Sequence, residues 1–409
     1  MLCLKNGLIL REGGLIFDDL WVDMKTGLIV DPMKRFYTGL CSEGLRCETT
    51  VIDCTDLIVS PGFIDLQFNG GFGIDFSNVT HMKNPDTILK CAKQLLATGV
   101  TSFCPTLISC SPDAYNRLIP LFPITDGSVT GGASMIGLHL EGPYFEPSKK
   151  GAHPLQNLRV PTEASPRSIY GGNLDSVRIV TLAPELSGSL EAIVDILDTP
   201  LPACGHRIVS IGHSGSNLQD AEKGINAGAS MITHLFNAMG AFHHRDPGIV
   251  GLLGCRTDVF YGLIADGLHA HPSSVAMAYQ CNPKGCILVT DAMSALGLPD
   301  GIHSLGEQQV EVKAADETSG RKAVLVGTDT LAGAILPMDE CIRNLRMFTN
   351  CSIEEALKTA TENPATAIGI NHQRGTLDFG CQGDIVLLEK DTLKVRGTFI
   401  KGKQMYLEK

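Results

Sequence analysis

Carboxylate, imidazole and amide side chains recur at one place in a repeated pattern of this chain. Between residues 58 and 292, short apolar runs end in polar residues: Gln67 and Asn69 after the first, Glu141 after the third, Glu185 after the fourth and His213 after the fifth. His234 and Asn237 follow the sixth, Asp266 and His269 the seventh, and Asp291 the eighth. Two histidines and a carboxylate give the nitrogen and oxygen donors of a divalent transition-metal site with a position open to water. Glu141, His213 and His234 are the candidate ligands. Each also has a plainer use, Glu141 as a cap on the Gly142-Pro143 turn and either histidine as a hydrogen-bonded structural residue. Their coincidence at three strand ends favours metal. Asp291, in VTDAM, suits a general base that takes a proton from water whose pKa the metal lowers toward ~7 and later gives it to a leaving amine. It suits an N-cap to a following helix equally well, and spacing alone does not choose. The chemistry of the whole set is metal-assisted hydrolysis.

Such a set can converge only if the runs are neighbouring strands. They read LIVSPGFIDLQ, VTSFCPTL, MIGLHLEGP, VRIVTLAPE, RIVSIGHS, SMITHLFN, FYGLIADGLH and CILVTDAM. Near-continuous apolar strands alternating with helices indicate a parallel sheet covered on both faces. Eight of them predict a closed (β/α)₈ barrel, whose carboxyl-terminal face carries the site. No GxGxxG follows any run, which argues against a dinucleotide-binding open sheet. The clearest helix has Asn84 as N-cap, Pro85 at its first position, a stripe of Ile88, Leu89, Ala92, Leu95 and Leu96, and a stop at Gly99. Leu190 to Leu197, Leu218 to Asn226 and Ser274 to Tyr279 are shorter equivalents. Strand patterns with glycine turns at Leu8 to Val30 and Thr49 to Ile58, and a hairpin-like tail from Gly383, predict a small β domain assembled from both ends. The expected division is residues 1–58 (β-sandwich, first part), 59–355 (barrel) and 356–409 (a helical return, from the region Met338 to Asn371, and the rest of the sandwich). The Pro/Gly/Ser-rich stretch from Pro147 to Gly172 is a long insertion after the third strand, at the end of the barrel where loops are often functional.

The 409 residues carry 33 Lys+Arg against 44 Asp+Glu, a net charge of −11, and 44% of them are hydrophobic, which excludes a disordered chain. An acidic surface disfavours nucleic acid and anionic membrane as partners. No apolar run reaches the ~18 residues of a membrane span, and Lys5, Arg11 and Glu12 interrupt any signal-like stretch at the start. The 14 cysteines form no CxxC pair, so reduced thiols in a cytoplasmic protein are expected.

PGFIDLQFNG, HLEGPYF, KGAH (Lys150 to His153), TLAPE, IGHS, THLFNAM, ADGLH, VTDAM and TLAG (Thr330 to Gly333) follow one another in this order from about Asp53 to Asp384. In this the chain resembles the N-acetylglucosamine-6-phosphate deacetylases of the amidohydrolase superfamily. The resemblance implies a TIM-like barrel with a β-sandwich from both termini, a homodimer, and hydrolysis of the acetamide of a sugar-phosphate substrate to glucosamine 6-phosphate and acetate. It places metal ligands on Glu141, His213 and His234, the general base on Asp291, and carbonyl polarisation on His153. Sugar and phosphate contacts fall on Ala152, Asn237, Ala238, His269 and the backbone of Leu331, Ala332 and Gly333. Arg245, in AFHHRDPG, matches a phosphate-binding arginine supplied across the dimer interface, a use that suits the forked guanidinium.

The chain departs from the wider superfamily where many members carry HxH after the first strand. Here Gln67 and Asn69 stand, an i, i+2 pair facing one way, and neutral amides are poor ligands for a second transition metal. Strand four offers no lysine to bridge two metals. One divalent ion per subunit is expected, with zinc as its identity. Two other readings remain open: an amidohydrolase for another amino-sugar phosphate or a cyclic amide, and a non-catalytic sugar-phosphate-binding scaffold.

Overall fold

The computed structural model describes residues 1–37, 49–84, 86–172, 174–314 and 320–408. Eight parallel strands form a barrel: Phe63–Phe68, Val100–Leu107, Leu138–Glu141, Val177–Leu182, Ile208–Ile211, Met231–Ile232, Phe260–Leu263 and Cys286–Leu288. Each pairs in parallel with the next in sequence. The seam between the eighth and the first is closed beyond Leu288. There the Asp291 N–H donates to the Gln67 carbonyl and the Asn69 N–H to the Ala292 carbonyl, both at 2.9 Å. One residue earlier, the Thr290 hydroxyl donates to Asp65 at 2.5 Å.

Buried on both faces, these strands need apolar residues throughout, which is why they read as continuous runs. Ile64, Leu66, Cys104, Ile179, Ile208, Met231 and Ile287 share one cluster, and Ala365, Ala367, Ile368 and Ile370 join it. The last four come from or just after the helix Glu362–Ala367. Backbone bonds from Ile64 to Ala360 and from Leu288 to Thr359 tie this region to the starts of the first strand and the end of the eighth.

The first run proves to be two strands. Leu57–Pro61 pairs antiparallel with Ile385–Glu389 in an eight-stranded sheet built from both ends of the chain, and Phe63–Phe68 starts the barrel. Gly62 separates them because nothing larger fits: a Cβ there would lie 2.0 Å from the Thr101 hydroxyl oxygen. A register shift between Asp65 and Phe68 breaks the simple alternation of the first strand.

The helix Asp86–Leu95 buries Ile88, Cys91, Ala92 and Leu95. Gly99, at φ +79°, caps the 3₁₀ turn that follows. Leu89 is 40% exposed and falls off the expected stripe, since Cys91 and Ala92 complete the i, i+3, i+4, i+7 face of Ile88. Pro85 lies outside the described residues. The region from Met338 holds three helices, Met338–Thr349, Ile353–Lys358 and Glu362–Ala367. An antiparallel three-stranded sheet, Gly301–Leu305, Gln308–Lys313 and Lys322–Leu325, follows the eighth strand and was not foreseen. Among the described residues no helix is long and apolar enough to cross a membrane.

Arg374 locks the barrel to the terminal sheet. Its buried guanidinium donates to Ser102 Oγ (2.9 Å) on the second barrel strand, Ser134 Oγ (2.6 Å), Asp384 (2.8 Å) beside the sheet and Asp126 (2.6 Å). Breaking a buried pair leaves the partner charge stranded. Arg374→Ala should therefore lower the unfolding free energy in urea by about 3–5 kcal/mol, and adding Asp384→Asn should recover part of the loss. An additive double variant would contradict this account.

Candidate active site

Glu141 ends the third strand and is 2% exposed. The turn after it is pinned by the hydroxyls of Tyr115 and Tyr170, which both donate to the Gly142 carbonyl, at 3.1 and 2.9 Å. Around Glu141 Oε1 stand His234 Nε2 at 3.0 Å and His213 Nε2 at 3.3 Å, and the two imidazole nitrogens are 3.0 Å apart. Donors at about 2.0–2.2 Å from a tetrahedral ion lie roughly 3.3–3.6 Å from one another, close to this triangle.

The hydrogen bonds of the His213 and His153 rings decide which of their nitrogens can act as a ligand. His213 Nδ1 lies 2.9 Å from the Lys149 carbonyl, which can only accept. The proton therefore sits on Nδ1, and Nε2 turns its lone pair to Glu141, the arrangement that outer hydrogen bonds impose on ligating histidines. Phe145 stacks on the His213 ring, with centroids 4.0 Å apart and 13° between planes. His153 is arranged the other way. Its Nδ1 accepts the Ser109 N–H at 3.1 Å, which leaves the proton on Nε2, 3.9 Å from Glu141 Oε2. Ligand atoms of Glu141, His153 and His213 also fall within 4.8 Å of one another. The Glu141–His213–His234 triangle is tighter, and the His213 lone pair is directed into it. The Glu141 carboxylate and the His213 lone pair face one point and repel each other without a cation between them, and His234 brings a third donor atom to that point, so the donor set fits a divalent metal.

Electrostatics point the same way. Burial would raise the Glu141 carboxyl, but its close contacts with the His213 and His234 nitrogens, and then the positive charge of His234 and His153, hold it well below its ordinary value. Burial pushes His153 and His213 down. It also opposes a charge on His234, where the bond to Glu141 and its charge outweigh it and raise the pKa. Asp291 is pushed up to about 7 by burial and then by the charge of Glu141. Its Oδ1 receives N–H groups from Asn69 at 2.7 Å and Gln67 at 3.1 Å, and Gln67 donates also to Glu141 at 2.8 Å. Gln67 thus bridges two carboxylates that would otherwise repel, and Asn69 adds a second donor to Asp291.

His213, His234 and Asp291 all have positive φ, +49°, +28° and +47°. Such values cost of order 1–3 kcal/mol each in non-glycine residues and persist only where the surroundings enforce them. Here the enforcing bonds include Asn237 N–H to the His234 carbonyl and Ala334 N–H to the Asp291 carbonyl.

A cavity of about 330 Å³ opens over the triangle. Asn69, Ala152, His153, Asn237, Ala238, His269, Asp291, Leu331 and Gly333 line it. His269 Nδ1 is 2.6 Å from Asp266. Burial would raise the Asp266 carboxyl, but that contact holds it below its ordinary value. Ala332 does not line the cavity and packs among Met293, Val310 and Ala323. Arg245 is exposed and is not brought to this chain's cavity. The sequence reading missed Ser109, which orients His153, together with Ile108, Leu305, Asp329 and Thr330 in the lining. Ser109 lies just past the second strand, where the strand-end rule would have found it. Glu185, which that rule did pick, instead holds Ser214 Oγ and the Gly215 N–H, both at 2.7 Å.

The sequence model of the amidohydrolase family matches residues 58–405. The chain belongs to the amidohydrolase family. Within it, the chain is similar to N-acetylglucosamine-6-phosphate deacetylases. It is 46% identical to that of Bos taurus over 409 residues, covering 98% of this chain and 94% of the relative. The Thermotoga maritima deacetylase structure superposes with a TM-score of 0.80 at 28% identity, covering 99% of this chain and all of the other. A Mycobacterium smegmatis deacetylase variant, solved in complex with N-acetyl-D-glucosamine-6-phosphate, gives 0.81 at 27% identity and 99% coverage of each.

In protein stripped of metal, carbon-13 NMR of the side-chain carboxyls should show Asp291 titrating near pH 7. Glu141→Gln should move that titration down by removing the neighbouring charge. Titration of Asp291 near the ordinary ~4 would contradict the assignment.

Proposed function

We propose that this chain hydrolyses the acetamide of N-acetyl-D-glucosamine 6-phosphate to D-glucosamine 6-phosphate and acetate. The observation that carries the proposal is the convergence, in one cavity, of a Glu–His–His donor triangle, a histidine N–H donor and a carboxyl poised near neutrality. Glu141, His213 and His234 would hold one divalent ion, with zinc as its identity. When bound, that ion activates water and draws electron density from the amide carbonyl.

The remaining work belongs to the chain's own side chains. His153, its Nε2 protonated through the Ser109 contact, donates to the carbonyl oxygen and stabilises the charge that gathers there. Asp291 accepts a proton from the attacking water as the C–O bond forms, then delivers it to the nitrogen as the C–N bond breaks. Its raised pKa suits both halves of this exchange, since it can hold the proton and release it near neutral pH. Asn69 and Gln67 keep its carboxylate fixed between transfers.

Asn237, Ala238, His269 and the backbone of Leu331 and Gly333 form the sugar and phosphate side of the site in this reading. Ala152 packs beside His153. His269, oriented by Asp266, offers one donor to the phosphate. Arg245 offers a bidentate one from a second copy of the chain, which makes the enzyme a homodimer with each site completed by its neighbour. An acidic protein thereby binds an anion through a local basic patch. Buried free thiols such as Cys104 and Cys286 suit a reducing cytoplasm.

Incubation with N-acetylglucosamine 6-phosphate should release acetate and free amine, and a chelator should abolish the release. Asp291→Asn should lower kcat by at least about 10²-fold with little change in KM. Sugar-phosphate binding without any acetate release would favour the scaffold reading. Arg245→Ala should raise KM for the phosphorylated substrate by roughly 10-fold or more, with a much smaller effect on unphosphorylated N-acetylglucosamine. Equal effects on both would point to a different substrate.

A further inference from the structure

Beside the reaction cavity lies a second one of about 400 Å³, lined mostly by hydroxyl and amide groups, among them Ser77, Ser111, Asn157, Ser304 and Gln308. Ile108 lines both cavities. Its side chain is 2% exposed and shares a cluster with Ala152, Met293 and Leu305. On the far side it rests on Gly306, where an added Cβ would come within 2.7 Å of Ile108 Cδ1. The backbone of Ile108 is held too. Its N–H donates to Ser77 Oγ at 3.0 Å and its carbonyl accepts from the Tyr115 hydroxyl at 3.3 Å. Ile108 is therefore a fixed partition and not a mobile flap.

The order of strands indicates which part of a substrate meets this partition. Ile108 and Ser109 follow the second strand, while Asn237 and Ala238 follow the sixth, diametrically across an eight-stranded barrel. With the sugar on the side of the sixth and seventh strands, the amide carbonyl lies between the Glu141 triangle and His153. His153 is itself seated on Ser109, the residue after Ile108. The group attached to the carbonyl carbon on the side away from the sugar is then directed at Ile108.

We propose that Ile108 limits the acyl group this enzyme removes to about the size of acetyl, and that the polar chamber behind it is an acyl-extension subsite closed by this one side chain. The inference rests on the deacetylase reading and adds to it the residue that sets acyl specificity. Each added methylene meets a pinned wall, and a methylene mismatch in such a pocket is worth roughly tenfold or more in kcat/KM.

The test is amine release by the full-length, metal-replete protein from the N-acetyl, N-propanoyl and N-butanoyl derivatives of glucosamine 6-phosphate. The wild type should lose roughly tenfold or more per added methylene. Ile108→Ala should raise its own butanoyl-to-acetyl ratio of kcat/KM at least about tenfold, and Ile108→Val should raise its propanoyl-to-acetyl ratio several-fold. Comparing each variant with itself across substrates cancels any loss of folded protein. If the alanine variant does not fold, the valine variant, one methylene smaller, decides. Unchanged ratios in the folded variants, or a wild type that accepts butanoyl as readily as acetyl, overturn the role of Ile108 and leave the deacetylase reading standing. A wild type that releases amine from none of the three overturns both.

Discussion

A carboxylate withdrawn from water must be compensated where it lies, and the structure around Glu141 follows from that requirement. Unpaired, a buried anion is costly enough to take up a proton instead. Glu141 stays ionised because the Gln67 amide donates to it and the positive charge of nearby histidines favours its anion, and its Oε1 stands within 3.3 Å of the His213 and His234 nitrogens where a cation would sit. The same crowding fixes the character of the neighbours. His213, already donating to Lys149, has only a lone pair to offer, whereas His153, already accepting from Ser109, has only a proton. Ligand and electrophile are thus told apart by their backbone partners, although both are histidines in one cavity. Asp291, buried and then crowded by the Glu141 charge, holds its proton up to about pH 7.

Placing these groups requires a scaffold that tolerates strain. Three of the central residues adopt left-handed backbone conformations at strand ends, where a side chain can leave the strand direction and turn over the barrel axis. Parallel strands hydrogen-bonded on both sides resist relaxation of those turns. The closing seam matters most in this respect, because Asp291 and Gln67 are joined there both through the backbone and through their side chains. The terminal sheet, attached through Arg374, lies outside this machinery and braces it.

Much of this was legible in the sequence for a physical reason. Strands buried on both faces must be apolar along their length, so eight runs and the polar residues ending them stood out, and Glu141, His213, His234 and Asp291 with them. What escaped notice depended on contacts that leave no period. Gly62 splits the first run because Thr101 approaches it from a neighbouring strand, and a register shift moves Gln67 relative to the alternation. The short antiparallel strands Gly301–Leu305, Gln308–Lys313 and Lys322–Leu325 lie outside the barrel repeat, and their pattern of alternation was hidden in an apparent loop. Ser109 lies at a strand end as the rule requires, but its backbone N–H and hydroxyl matter only through His153, which the insertion folds back onto it. His153 sits in an insertion, and without the family resemblance it reads as a loop histidine.

The central claim is that Glu141, His213 and His234 form a single cation site, with Gln67 and Asn69 taking the place of ligands for a second. Metal content of the protein purified without added metal, measured by plasma mass spectrometry against chain concentration, tests it most directly. One tightly held divalent equivalent per chain is the expected result, and two tightly held equivalents would contradict the account.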